Sequence, residues 1–255
     1  MKTLTVIIPT FNEENYIQDC LRSVDFANQI IVVDSFSTDN TLSILKNSKC
    51  EILQRKFDNF SNQKNEAIKL AKGDWVLFVD ADERVTEKLK LEIISTINNS
   101  GRTSEEQSIS KHDAYKIKFP HFYMNRFLYH TENKVVRLVK NNAIHFEGEV
   151  HEKLIHNGSV GLLNNFMIHY TYKGLFHYIK KKDSYAWFQA KMAKDKNKNA
   201  TYIHLIFKPF YRFFHTYIIR RGFLDGIPGL AVATIDSYGV FSRYVKMILI
   251  EKGLK

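Results

Sequence analysis

The first 100 residues alternate short apolar runs with stretches of helical periodicity, and this alternation most strongly limits the possible folds. Four apolar runs have the length of strands, and they cover residues 4–8, 30–33, 51–53 and 75–79. Between and after them, apolar residues recur at helical spacing, as Leu89, Ile93 and Ile97 do. Ser61 is expected to cap the third helix. This β-α-β-α order predicts an α/β fold with a mostly parallel sheet flanked by helices.

The pattern changes twice along the rest of the chain. Residues 98–113 are polar and are expected to form an exposed loop, and short alternating strands follow as far as residue 172. From residue 173 the pattern is helical. We therefore predict a domain over residues 1–172, with halves at 1–98 and 114–172, and a helical extension over 173–255.

The net charge of +10 is unevenly distributed. Residues 173–255 contain 16 Lys and Arg against 5 Asp and Glu, whereas residues 1–172 contain 21 against 22. A basic region of this kind predicts an anionic partner, such as an anionic membrane surface, a phosphorylated substrate or nucleic acid. No nucleic-acid-binding motif accompanies the charge, so we expect no nucleic acid among the partners.

An aromatic stripe at helical spacing lies within this basic region. Its members are Tyr202, Leu205, Ile206, Phe210, Phe213, Phe214, Tyr217 and Ile218. Aromatic residues beside Lys180, Lys181, Lys182, Arg220 and Arg221 suit a helix that lies in the plane of an anionic membrane surface, with Phe213, Phe214 and Tyr217 inserted. The alternative is that the stripe packs on the first domain.

The location of the protein is predicted from what the sequence lacks. No uncharged apolar run reaches the roughly 18 residues of a membrane span, and the first residues lack the features of a signal peptide. Cys20 and Cys50 do not form a CxxC pair, so we expect two reduced thiols and no zinc site. Together these features predict a cytoplasmic protein, peripheral on the inner face of the membrane.

Acidic residues follow the fourth apolar run. Asp80 and Asp82 flank Ala81 at the predicted end of a strand, so that both carboxylates can face one cleft. Hard oxygen ligands at this spacing suit Mg²⁺ or Mn²⁺, although Asp82 can equally cap the next helix. After the second run, Asp34 can accept the imide N–H of uracil, and Asp39 can reach a ribose or cap a helix.

Other polar residues have open interpretations at this stage. Lys64 can offset the charge of a diphosphate or be a solvated helix residue. Arg137 can bind a phosphate of donor or acceptor or lie on the surface of a strand. His145 and His169 are expected to have structural roles.

Four stretches of the sequence resemble glycosyltransferase family 2, within the GT-A fold. They are VIIPTFNEENYI (6–17), IIVVDSFSTDNT (30–41), NQKNEAIKLAKGDWVLFVDADE (62–83) and VHEKL (150–154). The sequence also resembles the branch typified by the β-1,4-glucosyltransferase of the lipopolysaccharide inner core. That resemblance lies in FDNFSNQKN (57–65), RLVK (137–140), FEGEVHEKL (146–154) and GFLDGIPGL (222–230).

The resemblance implies a role for each matching residue. Pro9, Thr10, Glu13, Asp34 and Lys64 would line the pocket of a nucleotide-sugar donor. Asp80, Ala81 and Asp82 would form the family's DxD motif, which contacts the ribose and the metal bound to the diphosphate. Many family members have Arg-Asn at positions 64–65, whereas this chain has Lys64-Asn65, which keeps the charge without the bidentate fork.

The resemblance also implies inversion at the anomeric carbon, which requires a general base. Many family members place it in a Glu-Asp pair, whereas this chain has His151-Glu152 there. Glu152 is the first candidate and Glu149 the second. His151 can orient Glu152, bind the diphosphate, act as a third metal ligand or be a loop histidine bonded to the backbone.

The activity that the resemblance implies is transfer of a hexose, with glucose the first candidate, from a UDP-linked sugar to a lipid-linked saccharide such as the lipopolysaccharide inner core. Two alternatives remain open, a polyprenyl-phosphate sugar synthase of the same family and a non-catalytic nucleotide-binding module. A phosphatase of the haloacid-dehalogenase kind is disfavoured, because its nucleophilic Asp lies near the chain start, whereas Asp80 follows the fourth strand.

Overall fold

The structure is a computed structural model that describes residues 1–99, 112–124, 126–148, 152–170 and 175–254. The chain divides into two compact units. The first unit contains residues 1–119 and 133–169, and the second contains residues 120–132 and 170–255.

The first unit begins with the predicted alternation of strands and helices. Its opening elements are β1 (Leu4–Thr10), α1 (Ile17–Ser23), β2 (Gln29–Asp34), α2 (Thr41–Lys46), β3 (Glu51–Gln54), α3 (Phe60–Ile68), β4 (Trp75–Phe78), β5 (Glu83–Val85) and α4 (Glu87–Asn99). The strands that follow are β6 (Ala114–Tyr123), β7 (Arg126–Lys140), β8 (His145–Glu147), β9 (Lys153–Ile155) and β10 (Val160–His169). Residues 120–123 of β6 and 126–132 of β7 belong to the second unit.

Eight strands form one sheet in the order β3-β2-β1-β4-β7-β6-β10-β5, and β8 pairs with β9 in a small second sheet. The strands β3, β2, β1 and β4 are parallel. Antiparallel pairing joins β4 to β7 and β5 to β10, so the complete sheet is mixed. The α/β class predicted from the sequence is confirmed, and the parallel part of the sheet is the part that the alternation of strands and helices predicted.

The core of the first unit lies on both faces of the sheet. Because side chains alternate along a strand, Ile7 of β1 belongs to one apolar cluster, whereas Val6 and Ile8 belong to the other. The Val6 cluster includes the predicted apolar face of α4, and the Ile7 cluster includes Ala67 of α3. Burial on both faces explains why the parallel strands are continuously apolar rather than alternating.

The start of α3 differs from the prediction. Asn59, in an extended conformation, is the N-cap, and its side chain accepts a hydrogen bond from the N–H of Asn62. Ser61 lies inside the helix and donates to the carbonyl of Gly148. The predicted cap by Ser61 is therefore wrong, because Asn59 takes the backbone conformation and the donor that a cap requires.

The second unit is mainly helical. It contains α5 (Leu175–Asp195), α6 (Tyr202–Phe214) and α7 (Ile227–Glu251), with a π-helical turn at His215–Ile219 and a 3-10 turn at Gly222–Asp225 between α6 and α7. The helix α7 packs against both α5 and α6. Pro209 lies within α6.

A buried polar network links the three helices. Asp236 of α7 accepts hydrogen bonds from Tyr178 of α5 and Arg212 of α6, each at 2.8 Å, and pairs with Lys182 of α5. Burial disfavours the charged form of Asp236, but Lys182 and Arg212 outweigh it and hold the pKa of this carboxyl below its usual value. Lys182 is thus half-buried and paired with Asp236 rather than fully presented to solvent.

The aromatic stripe of the sequence divides between two faces. Tyr202, Ile206, Phe210, Phe214 and Ile218 are exposed, whereas Leu205, Phe213 and Tyr217 are partly buried. The rings of Phe213 and Tyr217 contact each other, with centroids 5.4 Å apart. Two of the three residues expected to insert into a membrane therefore pack within the second unit, because they point to the other side of the helix.

Candidate active site

The carboxyl ends of β1 and β2 place Thr10 beside Asp34. The two residues are partners in the parallel register, and the N–H of Ser35 donates to the carbonyl of Thr10 at 3.0 Å. Both side chains are buried. Within the described residues, Oγ1 of Thr10 has no hydrogen-bond partner. A buried hydroxyl without a partner is costly, and at this edge of the sheet it favours a polar ligand.

Asp34 is held by the turn that follows β2. Its carboxylate accepts from the N–H and the hydroxyl of Ser37 and, at 3.1 Å, from Nε2 of Gln54. Its side chain is fully buried. The sequence placed Asp34 at a strand end, and the structure adds that its acceptor capacity is already partly used.

The loops after β1 and β2 are fastened to each other. The side chain of Asn12 accepts from the N–H of Thr38, and the N–H of Glu13 donates to Oγ1 of Thr41. Asp39 accepts from the N–H of Thr41, the first residue of α2, and from the N–H of Glu14, so it ties the two loops together, while Asn40 is the N-cap of α2. These bonds hold Glu13 half-buried at the edge of the sheet, close in sequence to Pro9 of β1.

Lys64 of α3 is buried, which excludes its interpretation as a solvated residue. Its Nζ atom lies 2.9 Å from Oε1 of Glu152 and 4.9 Å from the centre of the Phe146 ring. The amide of Asn65, the next residue, exchanges two hydrogen bonds with the backbone of Phe146. The candidate phosphate-binding cation and the candidate base are thus direct partners.

Arg137 of β7 joins two carboxylates of the segment that follows β4. Its Nη2 atom lies 2.7 Å from Oδ2 of Asp80 and 2.7 Å from Oε1 of Glu83. Glu83 is fully buried, and its Oε2 accepts from the N–H of Asp80 at 2.8 Å. Arg137 is therefore not a surface residue of the strand, since its side chain is 11% exposed, and phosphate binding by its other nitrogens stays a prediction. Arg137 neutralises the first acidic residue of the predicted motif.

His169 at the end of β10 lies against the second acidic residue of the motif. Its Nε2 atom is 3.5 Å from Oδ2 of Asp82, and its Nδ1 atom is 4.0 Å from Oε1 of Glu83. The register of β10 with β5 brings it there, because His169 is paired with Glu83. The sequence favoured a structural role for His169, which stays a prediction, and the strand pairing that places His169 beside Asp82 is not visible in the local sequence.

The electrostatics of the acidic cluster follow from burial and neighbouring charges. Burial alone would raise the pKa of Asp80, but Arg137 and Lys64 outweigh it and hold that pKa well below its usual range. Burial raises the pKa of Glu83, and the nearby Asp80 carboxylate acts in the same direction. Burial lowers the pKa of His169, but Asp82 and Glu83 outweigh it and raise this pKa above its usual value.

The structure describes only some of the remaining candidate site residues. Glu149 and His151 lie outside the described residues. His145 is exposed and contacts Glu147 at 2.9 Å, and its structural role stays a prediction. Glu83 was missed as a site residue. The only sequence signal for Glu83 was its place directly after Asp82.

The acidic cluster can hold a hard divalent cation only with help from a ligand. No group of three or more His, Cys, Asp or Glu side chains that would form a metal cage occurs in the part of the chain that the structure describes. Arg137 engages one oxygen of Asp80, and Asp82 is half-buried at the same turn. This donor set fits Mg²⁺ or Mn²⁺, which is commonly held by one or two carboxylates with phosphate oxygens and water.

Comparison with known proteins gives consistent matches. Residues 5–147 match the family model described as "Glycosyl transferase family 2". An uncharacterised glycosyltransferase of Rickettsia typhi is 27% identical over 263 residues, covering 97% of this chain and 87% of the relative. The lipopolysaccharide core biosynthesis glycosyltransferase LpsC of Rhizobium meliloti is 22% identical, covering 94% and 93%. Among solved structures, S. aureus TarS 1–349 in complex with UDP is 17% identical with a TM-score of 0.49, covering 98% and 92%.

Proposed function

This chain belongs to glycosyl transferase family 2, and on that premise we propose that it is an inverting hexosyltransferase that uses a UDP-linked sugar, with glucose the first candidate, and a lipid-linked saccharide acceptor such as the lipopolysaccharide inner core. The observation that carries the proposal is the convergence of Thr10, Asp34, Lys64 and the acidic cluster at one edge of the parallel sheet. Ligands bind at this edge in open α/β sheets.

The nucleoside would bind where β1 and β2 end. The partnerless hydroxyl of Thr10 supports a polar ligand there, with Pro9 and Glu13 as neighbours. Asp34 would accept the imide N–H of uracil by exchanging one of its bonds with Ser37 or Gln54. A buried carboxylate that selects an N–H donor would favour uracil over bases that present an acceptor at that position.

The diphosphate would lie between Lys64 and the DxD motif, Asp80-Ala81-Asp82. Asp82, with the oxygen of Asp80 that Arg137 does not engage, would hold Mg²⁺ or Mn²⁺. When bound, the metal would neutralise charge that develops on the leaving diphosphate. His169 would orient the carboxylate of Asp82 through the contact at 3.5 Å.

Glu152 would take the proton from the acceptor hydroxyl as that hydroxyl attacks the anomeric carbon. The diphosphate would attract Lys64, and Glu152 would then be free to face the acceptor. This exchange would couple donor binding to release of the base. Glu149 and His151 remain second candidates in the same segment.

The acceptor and location belong to the same proposal. The similarity to LpsC supports a lipopolysaccharide-core acceptor, and the basic composition of residues 173–255 supports work at the inner face of the cytoplasmic membrane. A polyprenyl-phosphate acceptor is the alternative. It needs little base catalysis, so it predicts that Glu152 is dispensable.

A donor screen tests the proposal. Purified protein with Mn²⁺ would be incubated with UDP-sugars and other nucleotide sugars, with thermal stability and release of nucleoside diphosphate as readouts. We expect one UDP-sugar to raise the melting temperature most and to be hydrolysed slowly without acceptor. Asp82→Ala should remove the Mn²⁺-dependent part of both signals, whereas Asp19→Ala, on the exposed surface of α1, should not. Full activity in excess chelator would contradict metal use.

A further inference from the structure

The helix α6 turns an apolar and aromatic side toward solvent. Its exposed side consists of Tyr202, Ile203, Ile206, Phe207, Phe210, Tyr211 and Phe214, together with Lys208. The seven apolar and aromatic positions recur at intervals of one, three and four, so they form one continuous face. A surface helix of a globular protein normally presents charged and polar residues there. A face of this size exposed to water marks a site of interaction.

The opposite side of α6 fixes the helix in this orientation. Pro209 is buried, and its carbonyl accepts a hydrogen bond from Ser237 of α7. Arg212 donates to the carboxylate of Asp236 at 2.8 Å, and Asp236 is itself buried. Rotating α6 to hide its apolar face would break these bonds and leave Asp236 without one of its cations. The exposure of the apolar face is therefore built into the packing of the second unit.

Exposed apolar residues also occur directly after α6 in the chain. The residues that follow it in the chain include Ile218, Ile219, Phe223, Leu224, Ile227 and Leu230, all of which are exposed. We use the term apolar face for the exposed apolar and aromatic residues of 202–230. The face therefore belongs to one continuous segment of the second unit.

The charges within this segment have one sign at the surface. Residues 202–230 contain four cations, Lys208, Arg212, Arg220 and Arg221, and a single acid, Asp225, which is buried. Lys208 and Arg221 are exposed. An anionic surface complements this arrangement. Two copies of the face, related by a two-fold axis, would instead bring cations to cations, which disfavours self-association through it.

We propose that the apolar face lies in the interfacial region of an anionic lipid bilayer, with α6 in the plane of the membrane and Lys208 and Arg221 at the level of the headgroups. None of the helices within the described part of the chain is long and apolar enough to cross a membrane. Aromatic and aliphatic side chains on one side with Lys and Arg beside them are the composition of interfacial helices. The inference rests on the proposed lipid-linked acceptor for its purpose, since it names the surface that would carry that acceptor.

Vesicle co-sedimentation of the full chain tests the inference. One set of vesicles contains phosphatidylcholine alone, and the other contains phosphatidylcholine with phosphatidylglycerol. We expect stronger binding to the anionic vesicles, which weakens at high salt without vanishing, because salt screens the cations but not the apolar burial. Equal binding to both kinds of vesicle at low salt, or complete loss of binding at high salt, would overturn the inference.

Matched variants distinguish vesicle binding through the apolar face from nonspecific hydrophobic binding. Phe207→Ser with Phe210→Ser should lower the partition coefficient by about tenfold or more, since both side chains are exposed and would be inserted. Leu91→Ser removes an equally exposed apolar side chain of α4 and should leave binding unchanged. Lys208→Gln with Arg221→Gln should reduce binding to anionic vesicles only, and Lys198→Gln should have little effect.

Two further measurements make the outcome unambiguous. Thermal unfolding of each variant checks that the fold persists, and sedimentation velocity without lipid checks for a dimer. A wild-type dimer that Phe207→Ser with Phe210→Ser dissociates would overturn the inference in favour of a self-interface. Vesicle binding is measured without sugar transfer. If vesicle binding fails while donor binding and hydrolysis are normal, the membrane role of the apolar face is refuted. If donor binding and hydrolysis are absent while vesicle binding is normal, the proposed enzyme activity is refuted.

Discussion

The Nζ atom of Lys64 donates a hydrogen bond of 2.9 Å to Oε1 of Glu152, which lies 88 residues later in the chain. The side chain of Lys64 is 6% exposed and that of Glu152 is 23% exposed, so the pair is shielded from water on the lysine side. A diphosphate that approached Lys64 would compete with Glu152 for the same cation. This competition is the basis of the first two predictions.

Lys64→Met should weaken binding of UDP by about 10- to 100-fold, because it removes a charge-assisted contact to the diphosphate while retaining an apolar side chain of similar length. Binding of uridine, which lacks the diphosphate, should change little. Titration calorimetry with both ligands makes the comparison, and Lys69→Met, an exposed lysine that directly follows α3, is the control. Equal losses for UDP and uridine would indicate damage to the fold rather than loss of a phosphate contact.

Glu152→Gln should lower the turnover of sugar transfer by about 10² to 10⁴, because the amide cannot accept the proton of the acceptor hydroxyl. The affinity for UDP should stay the same or increase, since the amide holds Lys64 less strongly than the carboxylate does. Steady-state kinetics and calorimetry on the same preparation separate the two effects. If Glu149→Gln is inactive and Glu152→Gln retains turnover, the base is Glu149.

Arg137→Met should lower the free energy of unfolding by about 3 kcal/mol, because it leaves the carboxylates of Asp80 and Glu83 without their shared cation. Burial already raises the pKa of Glu83. Arg137 lowers this pKa, so in the variant Glu83 is protonated at both pH 5 and pH 8, whereas in the wild type it is partly ionised and paired with Arg137 at pH 8. The loss of stability should therefore be slightly smaller at pH 5 than at pH 8. Denaturant unfolding at both pH values measures it. Lys116→Met, at an exposed position of β6, should have little effect at either pH.

The ionisation of Asp236 should make the stability of the second unit depend on pH in the acid range. Its folded pKa lies below the unfolded value of about 3.9, so its stabilising contribution is present above that value and is lost as the pH falls through the folded pKa. Asp236→Asn should lower the free energy of unfolding by about 1–3 kcal/mol at pH 7 and reduce the decline in stability below pH 4.

Denaturant unfolding from pH 7 to pH 3 tests this, with the exposed Asp195→Asn as the control. A variant as stable as the wild type at pH 7 would show that Lys182 and Arg212 contribute no net stability through Asp236. An unchanged acid decline would show that another carboxyl governs the response to acid.

The sequence by itself determined the order of the elements from β1 to β4 and the residues at the ends of these strands. Hydrophobic periodicity is a local property, so Ile7, Val32 and Leu77 could be placed in strands without knowledge of their partners. Parallel strands joined by helices end at one edge of the sheet, so Thr10, Asp34 and Asp80 could be assigned to that edge. The family motifs are short and continuous, and they identified the same residues.

Only the tertiary structure decided the partners of these residues. Arg137 meets Asp80 and Glu83 across 57 and 54 residues of sequence, and His169 reaches Asp82 through the pairing of β10 with β5. Such contacts depend on strand order and register, which local patterns do not encode. The local sequence therefore left Arg137 open between two roles and gave no sign that His169 lies beside Asp82.

Tertiary contacts also determine the orientation of α6. Apolar residues occur on both sides of this helix, with Leu205 and Phe213 on one side and Ile206 and Phe210 on the other. Periodicity cannot choose between two apolar sides. The choice follows from Arg212, which must reach the buried carboxylate of Asp236 and so turns the side that carries Ile206 and Phe210 toward solvent. A single buried charge on α7 thus determines which aromatic residues the protein presents at its surface.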